Sequence, residues 1–156
     1  MANSNRLKRY KNPIDLAHDW QWFSDGLRYL ATNHEIKYDE VILFQQLIHF
    51  VTREENFVGM IFDSEGNMSA FCAMIEDTLP FAKERSHECL VFFHDPSQNR
   101  LTRGLQKAYE HFAREAGFSY YVVPVFGSKI KSTTRRCFTG KPYKFQEHSY
   151  NFRRKI

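Results

Sequence analysis

The residues best suited to chemistry lie in one stretch, Glu88 to Val123, ECLVFFHDPSQNRLTRGLQKAYEHFAREAGFSYYVV. An apolar run, CLVFF, leads to His94 and Asp95, then to a basic turn, an amphipathic helix and a second apolar run, FSYYVVPV. Arg100, Arg103 and Gly104 fall at the turn and the start of the helix. The free N–H groups of a first helical turn and the helix dipole favour phosphate oxygens, so a strand that delivers a basic turn onto a helix suits an anion. A strand–helix–strand crossover with a solvated basic turn has the same pattern, and the stretch alone leaves both readings open. His94 can accept a proton near neutral pH. Glu76 and Glu88 offer carboxylates at strand ends for the same task. His18, His34, His49, His87, His111 and His148 are scattered, without an H-x-x-x-H or C-x-x-C pattern, so no metal site is expected. Cys72, Cys89 and Cys137 lack metal-ligand spacing and read as free thiols in a reducing compartment.

Positioning these groups requires elements before and after them. Pro13 suits the start of a helix with Asn12 as N-cap, followed by Leu16, Trp20, Phe23, Leu27 and Leu30 at helical spacing. Tyr38 to Arg53 predicts a second helix with Val41, Phe44, Leu47, Ile48 and Val51 on one face, and with Asp39 and Glu40 in its first turn. NFVGMIFD and MSAFCAMIE, joined by SEGN, predict a hairpin. A polar loop from Asp77 to His87 precedes CLVFF, a strand covered on both faces. Leu101, Leu105, Ala108, Tyr109, Phe112 and Ala116 mark the next helix, with Gly117 as its cap. FSYYVVPV is a second buried strand, Lys129 to Cys137 suits a basic helix, and YKFQEHSYNFRRK has the alternation of a terminal strand or hairpin. A short strand before the first helix is compatible with this order.

A chain of 156 residues with 42% hydrophobic content is expected to form one domain with its own core. Its net charge of +4 is unevenly spread: residues 1–12 carry +4 and residues 129–156 carry +8, leaving −8 for the middle. Such asymmetry fits a surface that meets an anionic partner, and equally a solvated basic tail. The polar, basic start has no apolar leader, and no apolar run approaches the roughly 20 residues of a membrane span. A soluble, cytoplasmic protein is the expectation, with no membrane partner.

A hairpin followed by strand, helix and strand resembles the GNAT superfamily of N-acetyltransferases, over roughly residues 56–150. MIFDSEGNMSAFCAMIE is similar to the second and third strands of that family, VFFHDPSQNRLTRGLQKAYEHFAREAGFSYYVV to its cofactor motif, and FTGKPYKF to the segment where a short helix ends and the penultimate strand begins. The resemblance implies an α/β (α+β) fold, the acyl-CoA N-acyltransferase fold with a central mixed β-sheet flanked by helices. It would occupy 13–156 as one domain behind a basic arm at 1–12. The implied activity is direct acyl transfer from acetyl-CoA to an amine, on a small molecule or a protein, without a metal. Compact size, aromatic richness and weak motifs also resemble phage-encoded proteins.

In that family the backbone amides of Q/R-x-x-G-x-G/A hold the pyrophosphate of the donor. Placed on Asn99, Arg100, Leu101, Thr102, Arg103 and Gly104, the motif sets Asn99 on its first position and Thr102 on its middle glycine, and only Gly104 is a true match. A shifted placement, Arg103 to Ala108, puts Gln106 on the middle glycine and shortens the helix before Gly117. Thr102 lacks the conformational freedom of glycine, and Arg100 and Arg103 can instead supply charge-assisted bonds. The resemblance also implies a backbone N–H near Phe93 and His94 that polarises the thioester carbonyl. His94, or Glu76 or Glu88, would be the general base. The family's general acid, a Tyr four residues before the Gly of a Gly-Phe pair, falls on Arg136, so Tyr143 or Cys137 is the substitute proton donor. Two other readings stand beside this one. The chain is a GNAT-like binding or structural protein without catalysis, or it binds or modifies nucleic acid through Lys129, Lys131, Arg135 and Arg136, interleaved with Phe138, Tyr143, Phe145, Tyr150 and Phe152.

Overall fold

Four residues of the basic N-terminal segment are in fact a strand. In the computed structural model, which describes residues 7–34, 37–78 and 81–122, β1 (Leu7–Tyr10) runs antiparallel to β2 (Phe57–Phe62), from Leu7 opposite Ile61 to Tyr10 opposite Val58. Its charges are engaged rather than solvated. Lys8 Nζ reaches Asp19 at 2.7 Å, and the Arg9 guanidinium lies 4.0 Å from the Phe112 ring centre. Tyr10 is buried. Composition marks this segment as basic, but only these partners make it part of the sheet.

Asn12 caps α1 (Pro13–His18) through Oδ1, which accepts the Asp15 N–H at 2.9 Å. The helical spacing from Leu16 to Leu30 does not belong to one helix, because the chain breaks at Asp19 before α2 (Trp20–His34). Asp19 accepts from Lys8 and from the Tyr10 hydroxyl, both at 2.7 Å, and lies 2.8 Å from His18 Nδ1. Three partners on one carboxylate set its backbone away from helical geometry. The next helix, α3 (Glu40–Val51), starts one residue later than Asp39. Asp39 is its N-cap, accepting from Val41 and Ile42 at 2.9 and 3.0 Å.

The hairpin expected from SEGN forms between β2 and β3 (Met68–Glu76), its turn closed by Asp63 Oδ1, which accepts the N–H groups of Glu65 and Asn67. β4 (Ser86–His94) pairs antiparallel with β3 and is longer than the apolar run CLVFF. Its polar start is buried: Ser86 donates to the Asp77 carbonyl at 2.9 Å, and His87 is enclosed. A short 3₁₀ turn (Pro96–Gln98) leads to α4 (Asn99–Glu115). Gly117, at φ +79°, ends α4 with its N–H on the Arg114 carbonyl and the Phe118 N–H on the Ala113 carbonyl. That reverse pattern of bonds satisfies the last turn and turns the chain into β5 (Tyr120–Val122), parallel to β4.

The sheet order is β1-β2-β3-β4-β5, a mixed sheet with helices on both faces. Alternate residues explain why β2 and β3 read as continuous apolar runs. Val58, Met60, Phe71, Ala73 and Phe93 pack under α1, α2 and α3, while Phe57, Ile61, Ala70, Cys72, Met74 and Cys89 face α4. Leu105 and Tyr109 of α4 are buried on that second face, each side chain contributing about 2 kcal/mol of apolar burial. Cys72 and Cys89 are free and buried, and burial pushes the Cys89 thiol up to about 12. The basic helix and terminal strand expected beyond FSYYVVPV, with Cys137, lie outside the described residues.

Candidate functional site

Two features of β4 shape its C-terminal half. The register against β3 shifts where Ala73 faces Val91 and Met74 faces Cys89, so Leu90 bulges out of the ladder and is partly exposed. Pairing with β5 covers only Ser86 to Glu88, opposite Tyr120 to Val122. From Cys89 to His94, β4 has no strand on its β5 side among the described residues. The end of β4 where α4 begins is the carboxyl end of a strand that belongs to a parallel pair. Ligands of sheets with parallel strands commonly sit at the carboxyl end of the strands.

The turn at that end is built by Asp95. Its N–H bonds the Ser69 carbonyl at 2.8 Å, and its Oδ1 accepts both the N–H and the hydroxyl of Ser97 at 2.8 Å. Gln98, at the N-cap of α4, makes no side-chain cap, and the first turn holds no acidic residue. Helical periodicity then sorts the side chains. Thr102 and Leu105 are fully buried, whereas Arg100, Arg103 and Lys107, at spacings of three and four, share the outer face. With Gly104 these three cations line a hollow of about 510 Å³. None of the three has a hydrogen-bond or ion-pair partner among the described residues. A Cβ on Gly104 would come within 3.2 Å of Ile61 Cδ1, so the glycine lets α4 lie close on β2 beneath the hollow.

The candidate residues are not all brought together. Arg100, Arg103 and Gly104 line the hollow. Thr102, on the motif's middle glycine, points into the protein with its hydroxyl 3.4 Å from the Gln98 carbonyl, and Leu101 packs against the α4 core. Asn99 opens the helix. From Leu101, in the first turn, a ligand could receive only the backbone N–H group. Phe93 turns to the other face of the sheet, stacked on Phe71 and met edge-on by Tyr29, so again only its backbone is available. His94 lies on the α4 face, half-buried, with its ring 5.9 Å from that of Phe92.

Glu76 is at the opposite end. It pairs with His87 across the ladder while His94 pairs with Ala70, six residues away on β3. At the strand rise this is about 20 Å, so Glu76 and His94 do not serve one centre. Glu76 accepts from Arg85 at 3.0 Å and from Thr78 at 3.1 Å, and the Arg85 bond holds its carboxyl below the usual carboxylate range. That makes it a poor base and a good structural anion, because Arg85 also donates to the Ala116 carbonyl at 2.7 Å and ties α4 to the β3–β4 loop. Glu88 is exposed, and its carboxyl is raised by desolvation and by a hydrogen bond to neighbouring Asp77. Tyr143, Lys129, Lys131, Arg135 and Arg136 lie outside the described residues. Among the described residues no group of His, Cys, Asp and Glu is placed to hold a metal ion, and no helix is long and apolar enough to cross a membrane.

Lys107 is the lining residue that motif reasoning misses. Its signal was present: it falls one turn after Arg103 and two turns after Arg100. The arrangement offers an electropositive hollow beside uncapped first-turn amides, a donor set whose chemistry fits phosphate oxygens.

No protein-family model matches the chain, and no curated protein matches it in sequence. Solved structures do match its fold. A probable acetyltransferase superposes with a TM-score of 0.70 at 12% identity, over 97% of each chain. An aminoglycoside acetyltransferase from an uncultured soil metagenomic sample, in complex with sisomicin, gives 0.66 at 14% identity over 96% of each chain. The aminoglycoside antibiotic 6'-N-acetyltransferase of Acinetobacter baumannii gives 0.64 at 11% identity, over 96% of this chain and 99% of that one. The fold is therefore the GNAT-like one of these acetyltransferases.

Proposed function

We propose that the protein is an acyl-CoA-dependent N-acyltransferase, passing an acetyl group from acetyl-CoA directly to an amine. The observation that carries this reading is the hollow lined by Arg100, Arg103 and Lys107, set where α4 leaves the end of β4 in a chain that shares its fold with acetyltransferases. The likeness supports the scaffold, and the cations support an anionic donor. The donor supplies an activated thioester carbonyl. Arg100 and Arg103, with the first-turn N–H groups of α4, hold its diphosphate. That grip aims the rest of the donor along the end of β4, toward the backbone N–H groups of Phe93 and His94. One of them polarises the carbonyl as negative charge grows on its oxygen. His94, at the end of the strand, takes the proton from the acceptor ammonium so that the neutral amine attacks. The C–N bond forms, the C–S bond breaks, and the CoA thiolate leaves and takes a proton from water. The acidic middle of the chain favours a cationic amine as acceptor.

Calorimetric titration of the protein with acetyl-CoA and with CoA at low salt tests the reading. Micromolar to sub-millimolar binding is expected. Absence of heat and of any thermal shift at millimolar ligand would sink it. A second reading has its own observation: Thr102 occupies the glycine position with a buried side chain, which favours a binding or structural protein that keeps the scaffold without catalysis. Release of free CoA thiol on addition of polyamine acceptors separates the two.

A further inference from the structure

Five side chains stack in one column at the end of β4 far from His94. The His87 ring centre lies 3.5 Å from that of Phe118 and 6.0 Å from that of Phe112, nearly parallel to both. The Arg85 guanidinium sits 4.1 Å from the Phe118 centre, and that of Arg9 sits 4.0 Å from the Phe112 centre. A ring face has room for one planar group at such distances, so Arg85 and His87 take opposite faces of Phe118. The column joins β1, the start of β4, the last turns of α4 and the turn into β5. The Ser119 N–H closes that joint on the Arg85 carbonyl at 2.9 Å, and the Phe118 N–H reaches the Ala113 carbonyl at 2.8 Å. None of the five side chains belongs to the core under α1, α2 and α3.

The imidazole at the middle of the column is fully buried in surroundings that suit its neutral form. Nε2 lies 2.7 Å from the Glu55 carbonyl, and Nδ1 lies 3.0 Å from the Tyr109 hydroxyl. The carbonyl holds the one ring proton. A second proton, on Nδ1, meets the hydroxyl's own, and one of the two must turn away. Charges act from each side. Arg85 opposes a charged ring and Arg9 stands beyond Phe112, while Glu76 on β3 favours it. On the α4 and β5 sides, Tyr109 and Tyr121 are kept neutral by burial. Glu88 lies on the other face of β4, its carboxyl raised by desolvation and by Asp77. Of the described groups touching the column, His87 alone has its ordinary range between pH 7.5 and 5.5.

We propose that His87 is an acid-operated latch: a second proton on its ring parts the column, and the last turn of α4 and the turn into β5 open as a local unit while the core under α1, α2 and α3 stays packed. Opening takes up one proton, because the freed ring returns to its ordinary value of 6.5 and burial holds the closed ring below it. Closure is therefore complete above about 6.5 and weakens as the pH falls.

Amide exchange of the whole chain, wild type and His87→Gln, at pH 7.5 and 5.5 over a series of low urea concentrations tests the latch. In wild type at pH 5.5 the Phe118 and Ser119 amides should exchange ahead of the β2 and β3 amides. They should also depend little on urea, the mark of a small opening. Their opening should rise about five- to ten-fold from pH 7.5 to 5.5, since one proton allows at most about ten-fold per pH unit. Gln keeps a donor for the Glu55 carbonyl and an acceptor for Tyr109 without titrating, so His87→Gln should lose the rise. That variant keeps Glu88, so the comparison isolates the imidazole. The latch is overturned if Phe118 and Ser119 share the urea slope of β2 and β3 at pH 5.5, which means global unfolding only, or if His87→Gln keeps the rise. If His87→Gln does not fold, the wild-type urea slopes decide alone.

Discussion

His87 has no part in the hollow, yet its surroundings are fully specified. Its ring is buried against Phe118, with centres 3.5 Å apart, and stacks over Phe112. Nε2 lies 2.7 Å from the Glu55 carbonyl, which can only accept, so Nε2 carries the proton and Nδ1 accepts from the Tyr109 hydroxyl at 3.0 Å. Burial lowers its pKa, against the Glu55 carbonyl and Glu76, which favour the charged ring, and with Arg85, which opposes it. Below the ordinary value of 6.5 the unfolded chain therefore binds more protons than the folded one. Stability from this residue is complete above about 6.5 and falls as the pH drops toward the folded value. Thermal midpoints between pH 7.5 and 5.5 should decline in wild type. His87→Phe should flatten that decline while costing about 1–3 kcal/mol at neutral pH, because the Tyr109 hydroxyl loses its acceptor. An unchanged acid slope in the variant counts against this assignment. In the hollow, Arg103→Ala should weaken CoA binding by about ten-fold without moving the melting point, since the side chain is exposed and unpartnered among the described residues.

Elements show where local pattern and tertiary contact disagree. The apolar spacing from Leu16 to Leu30 is helical throughout, but the break at Asp19 comes from β1, whose Lys8 and Tyr10 both reach that carboxylate. Burial alone would raise the Asp19 carboxyl, yet bonds from Lys8, His18 and Tyr10 hold it below its usual range. Asp19→Ala leaves a buried Tyr hydroxyl and a lysine without their anion. It should cost about 2–3 kcal/mol in urea unfolding and loosen β1, seen as faster amide exchange at Lys8 to Tyr10. A loss under 0.5 kcal/mol would show, on the scale of ordinary surface substitutions, that the network is incidental. Gly104 sets two effects against each other. An alanine there meets only the flexible end of Ile61 at 3.2 Å, and in a helix interior alanine gains about 1 kcal/mol over glycine. Gly104→Ala should therefore change stability by less than about 1 kcal/mol. CoA affinity should still drop several-fold, because a methyl enters the hollow. A large loss of stability with intact binding would make the glycine purely a packing residue.

At the scale of the whole molecule, charge is divided between a basic start, an acidic middle and a basic end. The structure accounts for part of the start, because Lys8 and Arg9 are tied into β1 and its contacts. The +8 segment from 129 to 156 is expected to hold polyanions by counterion release. Its affinity for single-stranded RNA should fall steeply between about 50 and 200 mM salt and weaken in the Arg135→Ala/Arg136→Ala variant. Binding indifferent to both would leave the segment without a nucleic-acid role. The result is independent of CoA titration, so the two anionic partners can be told apart.

Much of this protein is legible before any coordinates. The cap at Asn12, the helix that begins beside Asp39, the SEGN hairpin, the apolar strand before the basic turn and the glycine ending α4 are all local signals, because propensities and hydrogen bonds within a few residues decide them. The basic turn at a helix start, where the candidate site is placed, is a local signal of the same kind. What only the tertiary structure decides is which side chains share a space. It buries Thr102, turns Phe93 away, separates Glu76 from His94 by the length of β3, and adds Lys107 to Arg100 and Arg103. Those outcomes depend on the face each residue takes once α4 lies on the sheet, and on where β4 bulges, neither of which a one-dimensional spacing contains.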